Sequence, residues 1–463
     1  MKAIDQRLAA QGLGWGGIFR LGLVQTALGA VVVLTTSTLN RVMVVELALP
    51  ALLPGLLVGL HYAVQITRPR MGHGSDVGGR RTPWILGGMA VLCLGGALAA
   101  AATALMGQDL VAGVALATLA FLMIGLGVSA SGTSLLALLA KRVPEQRRGP
   151  AATVVWLMMI MGFAVTAGIC GKLLDPYTPE RLMAVSLGVS VLAWFVAALA
   201  LWRLEPASFE ADARSTHPAA VDPGGAAVGF RASLAEAWAD PAARLFTFFV
   251  FLSMLAYSSQ DLILEPFAGL VFGLTPGEST ALSGMQHGGV LVGMLAVAAL
   301  TGFGPKRLRH LGLWSVVGCL LSAMALAGLA LAGLVGPPWP LQATVVAVGV
   351  ANGMFSIAAI ASMMQLAGQG QARREGTRVG LWGAAQAMAF GLGGLAGAAA
   401  SDLARWLLSD LGTAYATVFG LEAVLFIGSA VLAWQVSRLA SPIQSRGAAQ
   451  PAPPTPLGHP VTS

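Results

Sequence analysis

Two groups of polar and charged residues stand at matching positions, after the first and the seventh apolar segment of the chain. The members are Asn40, Arg41 and Glu46 in the first group and Gln260, Asp261 and Glu265 in the second. Charges at membrane depth are costly and usually serve a function. Arg41 is the only basic member, so an ion pair with Asp261 or Glu265 across two halves of a bundle is expected. Such a pair either gates one end of the molecule or holds the halves in a fixed arrangement, and both interpretations stay open.

Carboxyl groups inside apolar segments also suit proton-coupled transport. Glu422 stands in the last apolar segment, close to glycine and alanine residues. Its carboxyl group either contacts a hydroxyl or main-chain group or carries a transported proton. Asp261 and Glu265 are expected near a membrane interface and not at the midplane, which weakens the proton-carrying interpretation for them.

Two histidines lie inside apolar segments, where a metal-containing tetrapyrrole is a ligand to consider. His61 is in the second segment and His287 in the eighth, its counterpart in the other half. Neutral imidazole is an effective axial ligand to the iron of haem, and the same nitrogen suits magnesium. Gly59, Gly288 and Gly289 leave room for a flat ligand beside them. The alternative is a hydrogen-bonded histidine that packs between helices, which is the commoner role.

The segments that carry these residues have the composition of transmembrane helices. Of the 463 residues, 56% are hydrophobic and only 10% are charged, and the mean hydropathy is +0.76. A soluble domain has about 25% charged residues, so a soluble protein is excluded. Cys93, Cys170 and Cys319 lie far apart in apolar segments, which excludes a disulfide scaffold. The net charge of +7 is attributed to loops that face anionic lipid, and nucleic acid is not expected as a partner.

Windows of about 20 apolar residues, the length that crosses a bilayer, predict twelve helices. They are expected near residues 18–39, 49–67, 84–106, 111–139, 151–172, 182–202, 244–266, 281–302, 311–334, 341–366, 378–400 and 413–437. Residues 204–243 are polar and rich in proline and glycine, which predicts a linker between two pseudo-symmetric six-helix halves, 18–203 and 244–437. Residues 1–17 form a short cytoplasmic N-terminus, and the proline-rich residues 438–463 form a disordered cytoplasmic tail.

The distribution of basic residues predicts the orientation of this all-α membrane protein. With the N-terminus in the cytoplasm, all but four of the 27 lysine and arginine residues fall in or beside cytoplasmic segments. The exceptions are Arg41, Lys172, Arg181 and Arg405. Cytoplasmic loops of membrane proteins carry such an excess. Both termini are therefore expected in the cytoplasm.

The connection between the second and third helices carries the pattern G-x-x-x-D-x-x-G-R-R. Its members are Gly72, Asp76, Gly79, Arg80 and Arg81. The two glycines allow a tight turn, while the carboxylate suits a helix N-terminus or the neighbouring arginines. The motif is therefore expected to latch neighbouring helices at the cytoplasmic face. It resembles the loop 2–3 motif of the major facilitator superfamily, and residues 144–149 resemble the loop 4–5 motif of that superfamily.

A narrower resemblance rests on the first and seventh helices. Residues 39–47 read LNRVMVVEL, and residues 260–267 read QDLILEPF. Together with the loop motif, these strings are similar to those of the PucC/LhaA-type proteins, the bacteriochlorophyll delivery family within the major facilitator superfamily. The segment before Phe19 is short, and in this respect the chain resembles a third branch of the family, found among bacteriochlorophyll biosynthesis genes.

The resemblance implies a multi-pass protein of the inner or intracytoplasmic photosynthetic membrane of a phototrophic bacterium. It implies a factor that carries bacteriochlorophyll or a precursor as cargo and assists light-harvesting or reaction-centre complexes. Its partners are then membrane lipid, pigment, and antenna polypeptides or pigment-synthesis enzymes. A scaffold that binds these partners without carrying pigment falls under the same assembly role.

Catalysis is not expected from this sequence. Magnesium-diphosphate chemistry needs clustered acidic residues, and the sequence shows neither such a cluster nor a Ser/His/Asp or Cys/His arrangement. No required cofactor and no resident metal are predicted. The alternative function is a proton-coupled major facilitator transporter of a small solute.

Overall fold

The structure, a computed structural model, describes residues 13–65, 80–205, 238–368 and 375–447. Within these ranges all regular secondary structure is helical, and eleven helices are long and apolar enough to cross a membrane. The protein is therefore a multi-pass membrane protein. The orientation of its termini stays a prediction.

Twelve longer helices, numbered here α1 to α12, follow one another along the described chain. They are α1 (Trp15–Glu46), α2 (Leu52–Val64), α3 (Thr82–Met106), α4 (Leu110–Arg142), α5 (Glu145–Leu173), α6 (Pro179–Leu201), α7 (Pro241–Phe272), α8 (Pro276–Phe303), α9 (Leu311–Val335), α10 (Leu341–Gly368), α11 (Glu375–Leu407) and α12 (Leu411–Gly447). Each overlaps one predicted span. The described part of α2 has 13 residues and is too short by itself to cross a bilayer.

The helix α1 continues beyond the predicted end at residue 39, and two π-helical stretches carry the extension. Leu34–Thr38 and Val42–Glu46 are π-helical, and Leu39–Arg41 between them is α-helical. The hydroxyls of Thr35 and Thr36 bond back to main-chain carbonyls of the preceding turn, a contact that often bends helices. Asn40, Arg41 and Glu46 thus lie inside the helix. Their predicted position after it is wrong.

The helix α7 likewise runs through the position where the prediction ended it. The prediction, based on apolar length, ended this helix near residue 266, whereas Pro266 lies in the interior of α7. Membrane helices tolerate proline because neighbouring groups satisfy the freed carbonyl. The helix ends at Gly273, whose φ of 69° is left-handed. Gln260, Asp261 and Glu265 are therefore helix-interior residues.

The helix α12 also extends beyond its apolar segment, which was predicted to end near residue 437. It continues to Gly447, so the predicted disorder from residue 438 onward is wrong for its first part. Hydropathy indicates where a helix leaves the apolar layer, and not where its hydrogen bonding stops. Residues 448–463 and most of the predicted linker, 206–237, lie outside the described residues.

Each half of the chain has its own buried apolar core, and the halves meet along two helix pairs. α5 packs against α8, and α2 packs against α11. A Cβ atom on Gly284 would lie 2.7 Å from the main-chain nitrogen of Gly168, and one on Gly55 would lie 2.7 Å from the Ala398 Cβ. Small residues let membrane helices approach this closely. Glycine therefore sets the spacing between the two halves.

We expect the substitution Gly284→Ala to force α5 and α8 apart, because the added methyl group would meet the Gly168 main chain. In the matched control Gly168→Ala, the added methyl group meets no atom within 4 Å. The midpoint of thermal unfolding in detergent should fall by about 2 °C or more for Gly284→Ala and stay at the wild-type value for the control. Equal midpoints for the two variants would contradict this packing.

Candidate functional site

A cavity of about 610 Å³ lies between the two halves. The helices α1, α2, α4 and α5 of one half and α7, α8, α10 and α11 of the other line it. We define the terminal face as the face where α1 begins and α12 ends, and the far face as the opposite one. The lining residues of α2, α4, α10 and α11 come from the halves of these helices nearer the terminal face. The cavity therefore lies toward the terminal face.

The wall of the cavity is mainly apolar and aromatic, with a small number of polar groups. Trp156, Phe163, Tyr257 and Phe390 contribute aromatic rings. Among the lining residues that the structure describes, Asp261 is the only acidic one and none is lysine or arginine. A largely apolar wall with few polar groups, around a volume of roughly 300–1,000 Å³, is typical of small-molecule sites.

His61 lies in this wall, and a neighbour on its own helix engages its ring. Its Nε2 is 3.0 Å from the amide nitrogen of Gln65. Its ring packs edge-on against Tyr62, with centroids 4.8 Å apart, and Tyr62 stacks on Phe390 of α11 at 5.6 Å. His61 therefore belongs to an aromatic cluster that joins α2 to α11.

His287 lies in the wall contributed by α8, and its contacts differ from those of His61. Its Nδ1 is 2.9 Å from the carbonyl oxygen of Ser283, and because a carbonyl only accepts, Nδ1 donates the proton. In the neutral ring Nε2 then holds the lone pair. Among the residues that the structure describes, Nε2 has no hydrogen-bond partner. Phe163 of α5 meets the ring edge-on at 5.1 Å.

Arg41 pairs with Glu46 on its own helix. The Nη1 atom lies 2.5 Å from Oε1 of Glu46, and Nη2 donates to the carbonyl oxygen of Leu274 at 2.5 Å. The π-helical stretch bonds residues five positions apart, which brings this pair together. The predicted ion pair with Asp261 or Glu265 is therefore wrong. Arg41 instead links the two halves through a main-chain carbonyl at the far face.

Two further contacts of α1 cross between the halves. The side-chain amide of Asn40 donates to the carbonyl oxygen of Leu262 at 2.5 Å. The hydroxyls of Thr38 and Thr280 are 3.0 Å apart. All four residues are buried. The last part of α1, residues 34–46, is thus bonded to both α7 and α8.

The loops of the far face add contacts that the sequence did not predict. The Thr275 hydroxyl, at the start of α8, donates to the Asp175 carboxylate at 2.8 Å. The Asp402 carboxylate of α11 accepts from the main-chain N–H groups of Ala51 and Leu52, at 3.0 and 2.7 Å. The T-x-x-E capping box at Thr275 is visible in the sequence, but its partner in the other half is not. Together these bonds close the far face.

The two acids of α7 bond to α8. The Oδ1 atom of Asp261 accepts from the side-chain amide of Gln286 at 3.1 Å. The Oε2 atom of Glu265 lies 3.5 Å from the hydroxyls of Ser279 and Thr280. Glu265 is buried, whereas Asp261 borders the cavity. Asp261 lies within the long helix α7, and its expected place near a membrane interface stays a prediction.

Gln260 and Glu422 do not line the cavity. Gln260 accepts from the Asn352 amide at 2.9 Å, and the Ser322 hydroxyl donates to Asn352 at 2.8 Å. This buried network joins α7, α9 and α10 within one half. Glu422 of α12 is buried, and neither oxygen of its carboxyl group has a hydrogen-bond partner among the described residues. Both interpretations of Glu422, a hydroxyl or main-chain contact and a transported proton, stay predictions.

The described part of the loop 2–3 motif is held by Glu205, which follows α6. The Glu205 carboxylate accepts from the main-chain N–H groups of Arg81 and Thr82, at 3.0 and 2.7 Å, and Arg80 donates to its carbonyl oxygen at 3.4 Å. A carboxylate at a helix N-terminus satisfies free N–H groups and the helix dipole. Glu205, placed in the linker by the sequence, thus caps α3. The remaining motif residues, Gly72, Asp76 and Gly79, lie outside the described residues.

Comparison with known proteins supports the predicted family. The family model described as "PUCC protein" matches residues 38–440. The chain belongs to this family. It is 53% identical to the "Bacteriochlorophyll synthase 44.5 kDa chain" of Rhodobacter capsulatus, over 95% of this chain and 98% of the relative. It is 32% identical to "Protein PucC" of Cereibacter sphaeroides, over 88% of each chain.

Solved structures of transporters share the fold. The peptide transporter POT superposes with a TM-score of 0.67 at 15% identity, over 94% of this chain and 99% of the other. The nucleoside transporter NupG superposes with a TM-score of 0.63 at 13% identity, over 92% of this chain and 99% of the transporter. The predicted major facilitator fold is confirmed. At such low identity, the likeness shows the fold alone.

The closure of the far face can be tested at Arg41. Arg41→Ala removes the bond to Leu274, and we expect the far-face loops to separate more often. Spin labels on the exposed positions, introduced by Glu180→Cys and Ser409→Cys, report the distance between the halves, since the native cysteines are buried. Double electron–electron resonance should show an added population at longer distance.

The control for this experiment is Arg181→Ala. Arg181 lies at the same face, but its guanidinium donates to the Pro176 carbonyl within its own half. The control should keep the wild-type distance distribution. An unchanged distribution for Arg41→Ala would show that Arg41 does not hold the face closed.

Proposed function

We propose that the protein binds bacteriochlorophyll or a precursor in the cavity between its halves and delivers it to light-harvesting or reaction-centre complexes of a photosynthetic membrane. The observation that carries this proposal is a cavity with an apolar, aromatic wall and histidine side chains, in a member of the PUCC family. The relative at 53% identity is named for bacteriochlorophyll synthesis. A role in pigment handling or complex assembly is the function that family and cavity jointly support.

The cavity suits the chemistry of such a pigment. The macrocycle is flat, aromatic and largely apolar, and the rings of Phe163, Tyr257 and Phe390 offer surfaces for stacked or edge-on contact. A volume of about 610 Å³ suits the ring system. The hydrocarbon tail would extend beyond the cavity into the membrane. The described part of the wall has one carboxyl group, and its mainly apolar surface favours an apolar cargo over a strongly polar one.

The role inferred is non-catalytic. Family membership and a transporter fold support a membrane protein that binds and transfers, although one relative carries the name of a synthase chain. Transfer would use the motion known for this architecture, in which one half rocks against the other. The far face is closed and the cavity lies toward the terminal face, so cargo would enter from the terminal face, which the basic residues predict to be cytoplasmic.

A second candidate is proton-coupled transport of a small solute. Asp261 favours it, because this carboxyl group borders the cavity and bonds to α8, where protonation would alter a contact between two helices. The solved transporters of the same fold fit this candidate as well. Under this alternative, a purified protein would hold no pigment and would exchange a labelled solute in a counterflow assay.

Near-infrared absorption of the protein, purified in mild detergent from a phototrophic host, tests the pigment proposal. We expect a bacteriochlorophyll band that weakens about tenfold in Gly383→Trp, a loss of about 1.4 kcal/mol of binding free energy. Gly383 borders the cavity, and a Cβ atom there meets nothing within 4 Å, so the indole fills the cavity. The control Gly188→Trp, on an exposed and equally open position of α6, should keep the band.

Three other outcomes would each count against this proposal. A band that is equally strong in Gly383→Trp would place the pigment outside the cavity. A pigment-free protein that co-purifies with antenna polypeptides would indicate a scaffold. A protein with neither pigment nor polypeptide, but with counterflow of a solute, would indicate the transporter.

A further inference from the structure

We propose that His287, and not His61, binds the central metal of the pigment through its Nε2 atom. This inference rests on the proposed function and specifies the ligand class as a tetrapyrrole that contains magnesium, in preference to the metal-free ring. The chemistry is the donation of an imidazole lone pair to a metal with an open axial position.

The first support is the protonation of the ring. The Nδ1 atom of His287 lies 2.9 Å from the carbonyl oxygen of Ser283, one turn earlier on α8. This bond holds the proton on Nδ1 and sets the direction of the ring. Histidines that bind metals almost always donate their other N–H to a carboxylate or main-chain carbonyl in this way. The protein therefore presents the tautomer that metal binding requires.

The second support is the state of Nε2. His287 is buried at 5% exposure and lines the cavity, and no described residue bonds to Nε2. A nitrogen lone pair without a hydrogen-bond partner, in a residue of a mainly apolar cavity wall, is unfavourable. A metal with an open axial position satisfies this lone pair, and an apolar cargo without a metal does not.

The third support is the surface beside the ring. Val290 and Met294 follow His287 by three and seven residues, the spacing of one helix face, and all three line the cavity. Phe163 of α5 meets the imidazole edge-on at an interplanar angle of 85°. His287 thus shares its part of the cavity wall with apolar side chains, which suit contact with a macrocycle.

His61 provides the contrast, because the amide of Gln65 lies 3.0 Å from its Nε2. A metal at Nε2 would have to displace that contact. The ring of His61 is further held against Tyr62 in the cluster between α2 and α11. The two histidines hold corresponding places in the two halves, so each is the matched control for the other.

The test compares bacteriochlorophyll a with bacteriopheophytin a, which has the same ring and tail but lacks the metal. The full-length protein in detergent is titrated with each pigment, and the ratio of the two dissociation constants is measured. Wild type and His61→Leu should both bind bacteriochlorophyll a at least about tenfold more tightly than bacteriopheophytin a. His287→Leu should bind both pigments with similar affinity, at the wild-type affinity for bacteriopheophytin.

The affinity for bacteriopheophytin shows whether His287→Leu has kept its fold.

As a second variant, His287→Gly should lose the preference for the magnesium pigment and regain it when free imidazole is added. A preference that persists in His287→Leu, or that disappears in His61→Leu, would overturn the assignment while the proposed function stands. Binding of neither pigment to the wild type would overturn the proposed function, and with it this inference.

Discussion

The central constraint on this molecule is that polar groups buried at membrane depth must find their partners inside the protein, because the bilayer core offers no water. The polar residues of α1 and α7 bond to groups on their own helix and on neighbouring elements. Arg41 neutralises Glu46 and donates to a carbonyl of the opposite half, and Asn40 does the same with a second carbonyl. Satisfying these groups joins the halves at one face. The closed far face is a consequence of the same bonds.

The opposite end of the interface lacks a comparable set of bonds within the described residues, and the cavity lies there. Most of the apolar core of each half is its own, and the halves meet along α5 with α8 and α2 with α11. Close glycine contacts bring the helices together there, and Ile160 of α5 packs with Val290 and Met294 of α8 in a smaller cluster between the halves. Main-chain and side-chain contacts thus both join the halves beside the cavity.

The cavity combines an apolar wall with two histidines whose hydrogen bonds differ. The difference arises from neighbours four residues away along each helix. Gln65 stands four residues after His61 and supplies a side-chain amide, whereas the carbonyl of Ser283 stands four residues before His287 and accepts from Nδ1. One ring is therefore tied into a helix contact, and the other presents a lone pair. Corresponding positions in the two halves thus have different hydrogen-bond partners.

The sequence by itself determined the class of fold, the number and approximate place of the helices, the two halves and the family. These properties depend on the length of the apolar segments, the amino-acid composition and short sequence motifs, all of which can be read directly from the sequence. Only the tertiary structure decided where α1 and α7 end, because their continuation depends on partners for Arg41 and on carbonyls satisfied around Pro266. It also decided that Arg41 pairs with Glu46, that Glu205 caps α3 and that His287 differs from His61. Each of these outcomes depends on which groups come into contact in the folded chain, and hydropathy carries no information about such contacts.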